Sequence, residues 1–163
     1  MQLEKLFRMQ RGLDLHIEEK HGLQNEDLFD RKVLALLVEL GELANETRCF
    51  KFWSIKPSSE KSVVLEEYVD GIHFILSLGI ECDFQNLEYK FDLEPASVST
   101  TEQFLLIYEK VNKFKDSKNE LDFKTLLNSY LQLGTLLGIS YEEMEKAYFT
   151  KNEVNYQRQQ NNY

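Results

Sequence analysis

Apolar residues recur at helical spacing along most of the chain and divide it into six segments. Leu3, Leu6, Phe7, Leu13 and Ile17 mark a first helix running to about Lys20 and closed by His21-Gly22. Asn25 reads as the N-cap of a second helix, with Glu26 and Asp27 in its favourable first turn. That helix carries Leu28, Val33, Leu34, Leu36, Leu37, Leu40 and Leu43 and fades near Thr47. Arg48 to Ser59 contains Pro57 and reads as a loop, one unusually rich in aromatic and basic residues. A third helix starts near Ser59 or Glu60 and ends near Gly79; it is apolar on nearly all sides, which predicts a central position. Asp83 to Ser99, with Pro95, reads as irregular. Thr101-Glu102 opens a fourth helix through about Phe114, and Lys115 to Asn119 reads as a polar turn. Asp122 opens a fifth helix that ends at Leu137-Gly138. Ser140 followed by Glu143 is a capping box for a sixth. The tail from Thr150 is polar and rich in Asn and Gln. No internal repeat or domain boundary interrupts the pattern, so the expected architecture is a single all-α domain over residues 1–163, folded as a compact helical bundle.

Composition agrees with that reading. Seven Gly and two Pro in 163 residues are few helix breakers. The formal charge is −9, from 28 acidic and 19 basic residues, which argues against binding the backbone of DNA or RNA. A small phosphorylated ligand remains compatible, because a metal ion can invert the local field. Cys49 and Cys82 read as free thiols of a reducing compartment. No apolar run reaches the roughly 20 residues needed to cross a bilayer, and Met1 to Arg11 lacks the apolar stretch of a signal peptide. The expected location is the cytoplasm, with no membrane partner.

The chemistry lies in carboxylates set among apolar residues. On the second helix Glu39, Glu42 and Glu46 stand three and then four residues apart, so they share one stripe. On the third, Glu67 and Asp70 are three apart, inside the most apolar helix of the chain. Unpaired burial of such groups costs several kcal/mol or shifts their pKa. A cation removes that cost, and sites made only of carboxylates suit hard ions such as Mg2+, Mn2+ or Ca2+. Each pair taken alone also reads as an ordinary solvated face.

Glu39-x-x-Glu42, twenty-four intervening residues, then Glu67-x-x-Asp70 resembles the motif of the all-α nucleotide pyrophosphohydrolases, which include MazG-type enzymes and the dimeric dUTPases. The segment from Glu39 to Glu46 resembles the second motif of the dimeric dUTPases, Phe50 to Ser54 the third, Glu66 to Gly71 the fourth, and Lys151 to Gln159 the last. Gln10, with Asp14 one turn below, resembles the first. The likeness covers essentially the whole chain. Family tails commonly close with Gly-Tyr, whereas this one has Asn162-Tyr163.

The resemblance implies hydrolysis of dUTP, and in some members dUDP, to dUMP and pyrophosphate or phosphate, by a homodimer that requires Mg2+, with Mn2+ a substitute. Glu39, Glu42, Glu67 and Asp70 would be the metal ligands, with Glu39 or Glu42 also orienting the attacking water. Glu46 and Asn155 would hold a further ion or support the ligands from outside. Gln10, Asp14, Lys51, Trp53, Lys151, Asn155 and Arg158 would bind substrate. The segment 150–163 would be a mobile tail that closes over it. Beside these roles stand plainer ones: Trp53 as a loop anchor, the tail as a passive terminus, His73 as a packing residue one turn beyond Asp70. Three rival readings remain. One is the same chemistry on another nucleotide. Another is a di-iron carboxylate bundle, which Glu67-x-x-Asp70-x-x-His73 faintly resembles but for which the second helix offers no His. The third is a helical interaction protein without activity.

Overall fold

The computed structural model describes residues 3–91 and 97–161. Six α-helices follow in order: α1 (Leu3–His21), α2 (Phe29–Thr47), α3 (Lys61–Glu81), α4 (Thr100–Ser117), α5 (Glu120–Leu136) and α6 (Tyr141–Gln160), with one 3-10 turn at Phe84–Asn86. The described residues form no strand. Helix α3 is the hub and touches α1, α2, α5 and α6; α4 covers α2 and α5. From Tyr68 to Gly79 nearly every residue of α3 is buried, as its all-round apolar sequence predicts. Around it lie Leu36, Leu40 and Leu43 of α2, Ile107 and Phe114 of α4, Phe123 and Leu126 of α5, and Met144 of α6.

Capping residues set the helix starts. Ser99 with Glu102 and Ser140 with Glu143 form complete capping boxes, and Asn119 caps α5 through the Asp122 N–H. Helix α4 therefore runs to Ser117, and α5 begins at Glu120, so the polar turn between them is shorter than its composition suggests. Asn25 is not a cap. Leu28 holds the N-cap position, and Asp27 before it accepts the Phe29 N–H at its Oδ1, at 3.0 Å. In the segment read as irregular, Tyr89 reaches back onto Phe7 and Phe123, and Phe91 stacks on Tyr89. Residues 92–96, with Pro95, lie outside the described residues, as do Asn162 and Tyr163.

The clasp between α3 and α5 fixes the middle of the fold. The Tyr68 hydroxyl donates to the Tyr130 carbonyl at 3.3 Å, the Tyr130 hydroxyl donates to the Tyr68 carbonyl at 2.9 Å, and the rings stack 4.9 Å apart. So close an approach needs glycines. A Cβ at Gly71 would fall 2.0 Å from the Tyr130 hydroxyl oxygen, and one at Gly134 2.5 Å from that of Tyr68.

The segment from Thr150, whose polar composition suggests an irregular tail, continues α6 in regular helix to Gln160. No Gly or Pro occurs between Tyr141 and Gln160, and the capping box has already nucleated the helix. Tyr156 rests on His16 with centroids 5.1 Å apart, and His21 and Gln159 are in hydrogen-bond contact at 2.8 Å.

Candidate metal and ligand site

Helices α2 and α3 run antiparallel: Ser59 meets Glu46 at one end, and Asp70 meets Glu39 at the other. That register turns both carboxylate stripes toward each other. Glu39, Glu67 and Asp70 each offer an oxygen within 4.8 Å of the other two. Glu42, one turn along from Glu39, is more exposed; its charge reaches Glu39 and Glu67, but it is not part of the closest triplet. Glu46 turns to the loop instead, accepting from the Ser59 hydroxyl with its side chain and from the Ser59 N–H with its carbonyl, at 2.9 Å.

Three carboxyls so close repel one another when ionised. Burial first, then the charges of Asp70, Glu42 and Glu67, push Glu39 up to about 7. Burial and the neighbouring acids also raise Glu67. Burial raises Asp70, against the opposing hydrogen bond from Lys151. The donor set is all oxygen and carries up to three negative charges, which fits a hard divalent cation and suits softer metals poorly. A divalent ion here would favour the ionised form of all three groups.

Beside the triplet opens a cavity of about 270 Å³. Glu39, Asp70, Asn155 and Arg158 line it, with Gln10, Asp14, Lys32, His73, Phe74 and Ser77. Its polar wall is a connected network. Gln10 donates through Nε2 to Asp14 Oδ1 at 2.7 Å, and its Oε1 accepts from the Tyr148 hydroxyl at 2.8 Å. His73 Nδ1 lies 2.7 Å from the same Oε1. An amide oxygen only accepts, so Nδ1 carries a hydrogen. Burial, then the Lys151 charge, lowers His73 to about 3. Asp14 Oδ2 accepts from the Ser77 hydroxyl at 2.6 Å and lies 3.8 Å from Lys32 Nζ, which also pairs with Glu18 and Glu81.

Glu39, Asp70, Gln10, Asp14, Asn155 and Arg158 thus border one space. Lys151 sits at its edge, 2.7 Å from Asp70 Oδ2 and 2.9 Å from Glu66 Oε1. Lys51 and Trp53 stand elsewhere. Lys51 donates to Asn45 Oδ1 at 2.5 Å, and Trp53 is 64% exposed, edge-on to Phe52 and Phe50. Arg48 braces this loop by donating to the Lys56 carbonyl and the Ser54 hydroxyl. Lys32, Ser77, Tyr148 and Glu66 were not singled out by sequence. For Ser77 a signal existed, since Asp70, His73 and Ser77 continue one stripe at spacings of three and four. For the rest the contacts are between distant helices, and no local pattern announces them.

The family described as dUTPase matches residues 2–163 of the chain. No curated protein matches it.

Proposed function

The chain belongs to the dUTPase family and hydrolyses dUTP; from that premise we propose that the reaction depends on divalent cations held by Glu39, Glu42, Glu67 and Asp70, Mg2+ first and Mn2+ as a substitute. The observation that carries this reading is the meeting of three carboxylates from two helices beside a cavity that Asn155 and Arg158 also line. The ions supply neutralisation of phosphate charge and acidification of a bound water. The chain supplies the rest. Glu39 or Glu42 orients the water that attacks between the α- and β-phosphates, giving dUMP and pyrophosphate. Lys151 and Arg158 face the polyphosphate, where a guanidinium can make two parallel bonds. The nucleoside enters the cavity against Gln10 and Asp14. Asn155 and Glu46 serve as further or outer metal groups. Lys51 and Trp53 reach the base only if the loop 48–59 folds inward. The segment 150–163, which the end of α6 opens, closes on the bound nucleotide.

The diphosphate dUDP is proposed as a second substrate, since the cluster reads phosphates and not their number. We place the enzyme in the cytoplasm, in keeping with the free thiols of Cys49 and Cys82; among the described residues no helix is long and apolar enough to cross a membrane. A homodimer is proposed from the exposed Leu34 and Val38 on α2 and Leu105 on the adjoining α4. Light scattering should return the mass of two chains; a single-chain mass contradicts it. The activity is tested by product analysis of each dNTP and dNDP with Mg2+ and with EDTA. Conversion of dUTP and dUDP to dUMP in Mg2+ alone is expected, and undiminished turnover in EDTA refutes the metal reading.

A further inference from the structure

Lys151 occupies the electrostatic position that a divalent ion would take. Its ammonium touches Asp70 at 2.7 Å and Glu66 at 2.9 Å, and only 11% of its side chain is exposed. Its charge counters the mutual repulsion of Glu39, Glu67 and Asp70. Glu66, by contrast, lies outside the triplet and its side chain is 59% exposed. One cation therefore bridges a carboxylate inside the cluster and one outside it.

We propose that Lys151 is a resident counter-cation that competes with the divalent ion for Asp70 and is released by it, pivoting on Glu66, toward the phosphates of the substrate. The inference rests on the proposed metal site. An ammonium and a divalent ion cannot both sit against the same carboxylate oxygen without strong repulsion. When the ion takes Asp70, Lys151 keeps Glu66 as its partner, so the charge stays at the rim and is not lost to solvent. Lys151, Asn155 and Arg158 stand four and three residues apart and share one face of α6. Releasing Lys151 from Asp70 thus loosens the part of α6 that carries the cavity-lining Asn155 and Arg158. Metal binding and the setting of the phosphate-binding face become one linked equilibrium. Lys151 opposes the ion when it is alone and helps the nucleotide when both are present.

That opposition in sign is what the test reads. Mn2+ alone is titrated into the full chain near neutral pH, with free Mn2+ followed by electron paramagnetic resonance, for the wild type, Lys151→Met, Lys151→Gln and Lys151→Arg. The two neutral variants should bind Mn2+ at least about tenfold more tightly than the wild type, a change of about 1.4 kcal/mol. Lys151→Arg should stay near the wild type. With Mn2+ saturating, the neutral variants should bind dUMP more weakly. Mn2+ affinity unchanged or reduced in both neutral variants, beside clear binding by the wild type, overturns the inference and leaves the metal site standing. A lowered melting temperature with unaltered Mn2+ affinity is the result of a merely packing role and overturns it equally. No Mn2+ binding by the wild type removes the metal site and the inference together.

Discussion

Replacing Glu39 by Gln should stabilise the metal-free protein while destroying its activity. Burial, with crowding by Asp70, Glu42 and Glu67 added to it, moves Glu39 from 4.5 to about 7. A carboxyl whose folded pKa lies above its unfolded one disfavours folding as pH rises. Below pH 4.5 it is protonated in both states and costs nothing. Between 4.5 and about 7 the unfolded chain ionises while the folded one keeps its proton, so stability falls with pH; above 7 the penalty is complete. At 1.36 kcal/mol per pKa unit the shift corresponds to about 3 kcal/mol. Glu39 is only half-buried, and solvent screening reduces this to about 1–2 kcal/mol. For a domain of this size that is a rise of about 2–8 °C in melting temperature. The assay is thermal unfolding in EDTA at pH 4 and pH 8, for wild type and Glu39→Gln. The variant should melt higher at pH 8 and level with the wild type at pH 4. Saturating Mg2+ should reverse the order, because an ion at 100 times its Kd adds about 2.7 kcal/mol to the form that binds it. A variant less stable at pH 8 without metal, or a gain independent of pH, refutes the reasoning.

Other outcomes follow from the same geometry. Glu42→Gln, on an exposed turn beside the triplet, should leave the melting temperature nearly unchanged and abolish dUTP turnover with Mg2+ present; near-normal activity would remove Glu42 from the ligand set. Gly71→Ala would drive a methyl to 2.0 Å from the Tyr130 hydroxyl oxygen, and should cost about 1–3 kcal/mol in urea unfolding through overpacking of the α3–α5 clasp; an unchanged midpoint would show that the clasp yields freely. Amide exchange from Lys151 to Arg158 should slow on adding Mg2+ with a non-hydrolysable dUTP analogue, and unchanged exchange in a saturated complex would make the end of α6 a passive terminus.

Much of the site can be read before the fold is known, because helical periodicity converts sequence spacing directly into shared faces. Glu39 and Glu42 on one apolar helix and Glu67 and Asp70 on the next meet when those helices pack antiparallel, as consecutive helices of a bundle commonly do. Periodicity does not say how far a side chain lies from its neighbours across helices. It therefore cannot rank Glu42 behind Glu39, Glu67 and Asp70, or show Glu46 engaged by Ser59. Lys151 looks like a free tail cation in sequence; its pairing with Asp70 and Glu66 depends on where α6 crosses α3. The end of α6 shows why polar composition is a weak guide to irregularity. A capped helix without Gly or Pro continues as long as a few anchors hold it, here Lys151, the buried Asn152 and Tyr156. The aromatic loop shows the converse. Phe52 and Trp53 stack edge to face, yet Phe52 is 94% exposed, since the loop is held by the Arg48 side chain's bonds to Lys56 and Ser54 and not by packing of its rings.

The central claim is that one cavity joins a carboxylate-bound cation to the nucleotide. It is tested most directly by a crystal structure with Mg2+ and α,β-imido-dUTP. The account predicts an ion on oxygens of Glu39, Glu67 and Asp70, phosphates facing Lys151 and Arg158, and the nucleoside against Gln10 and Asp14. An ion or a nucleotide bound away from these residues, with the cavity unfilled, would contradict it.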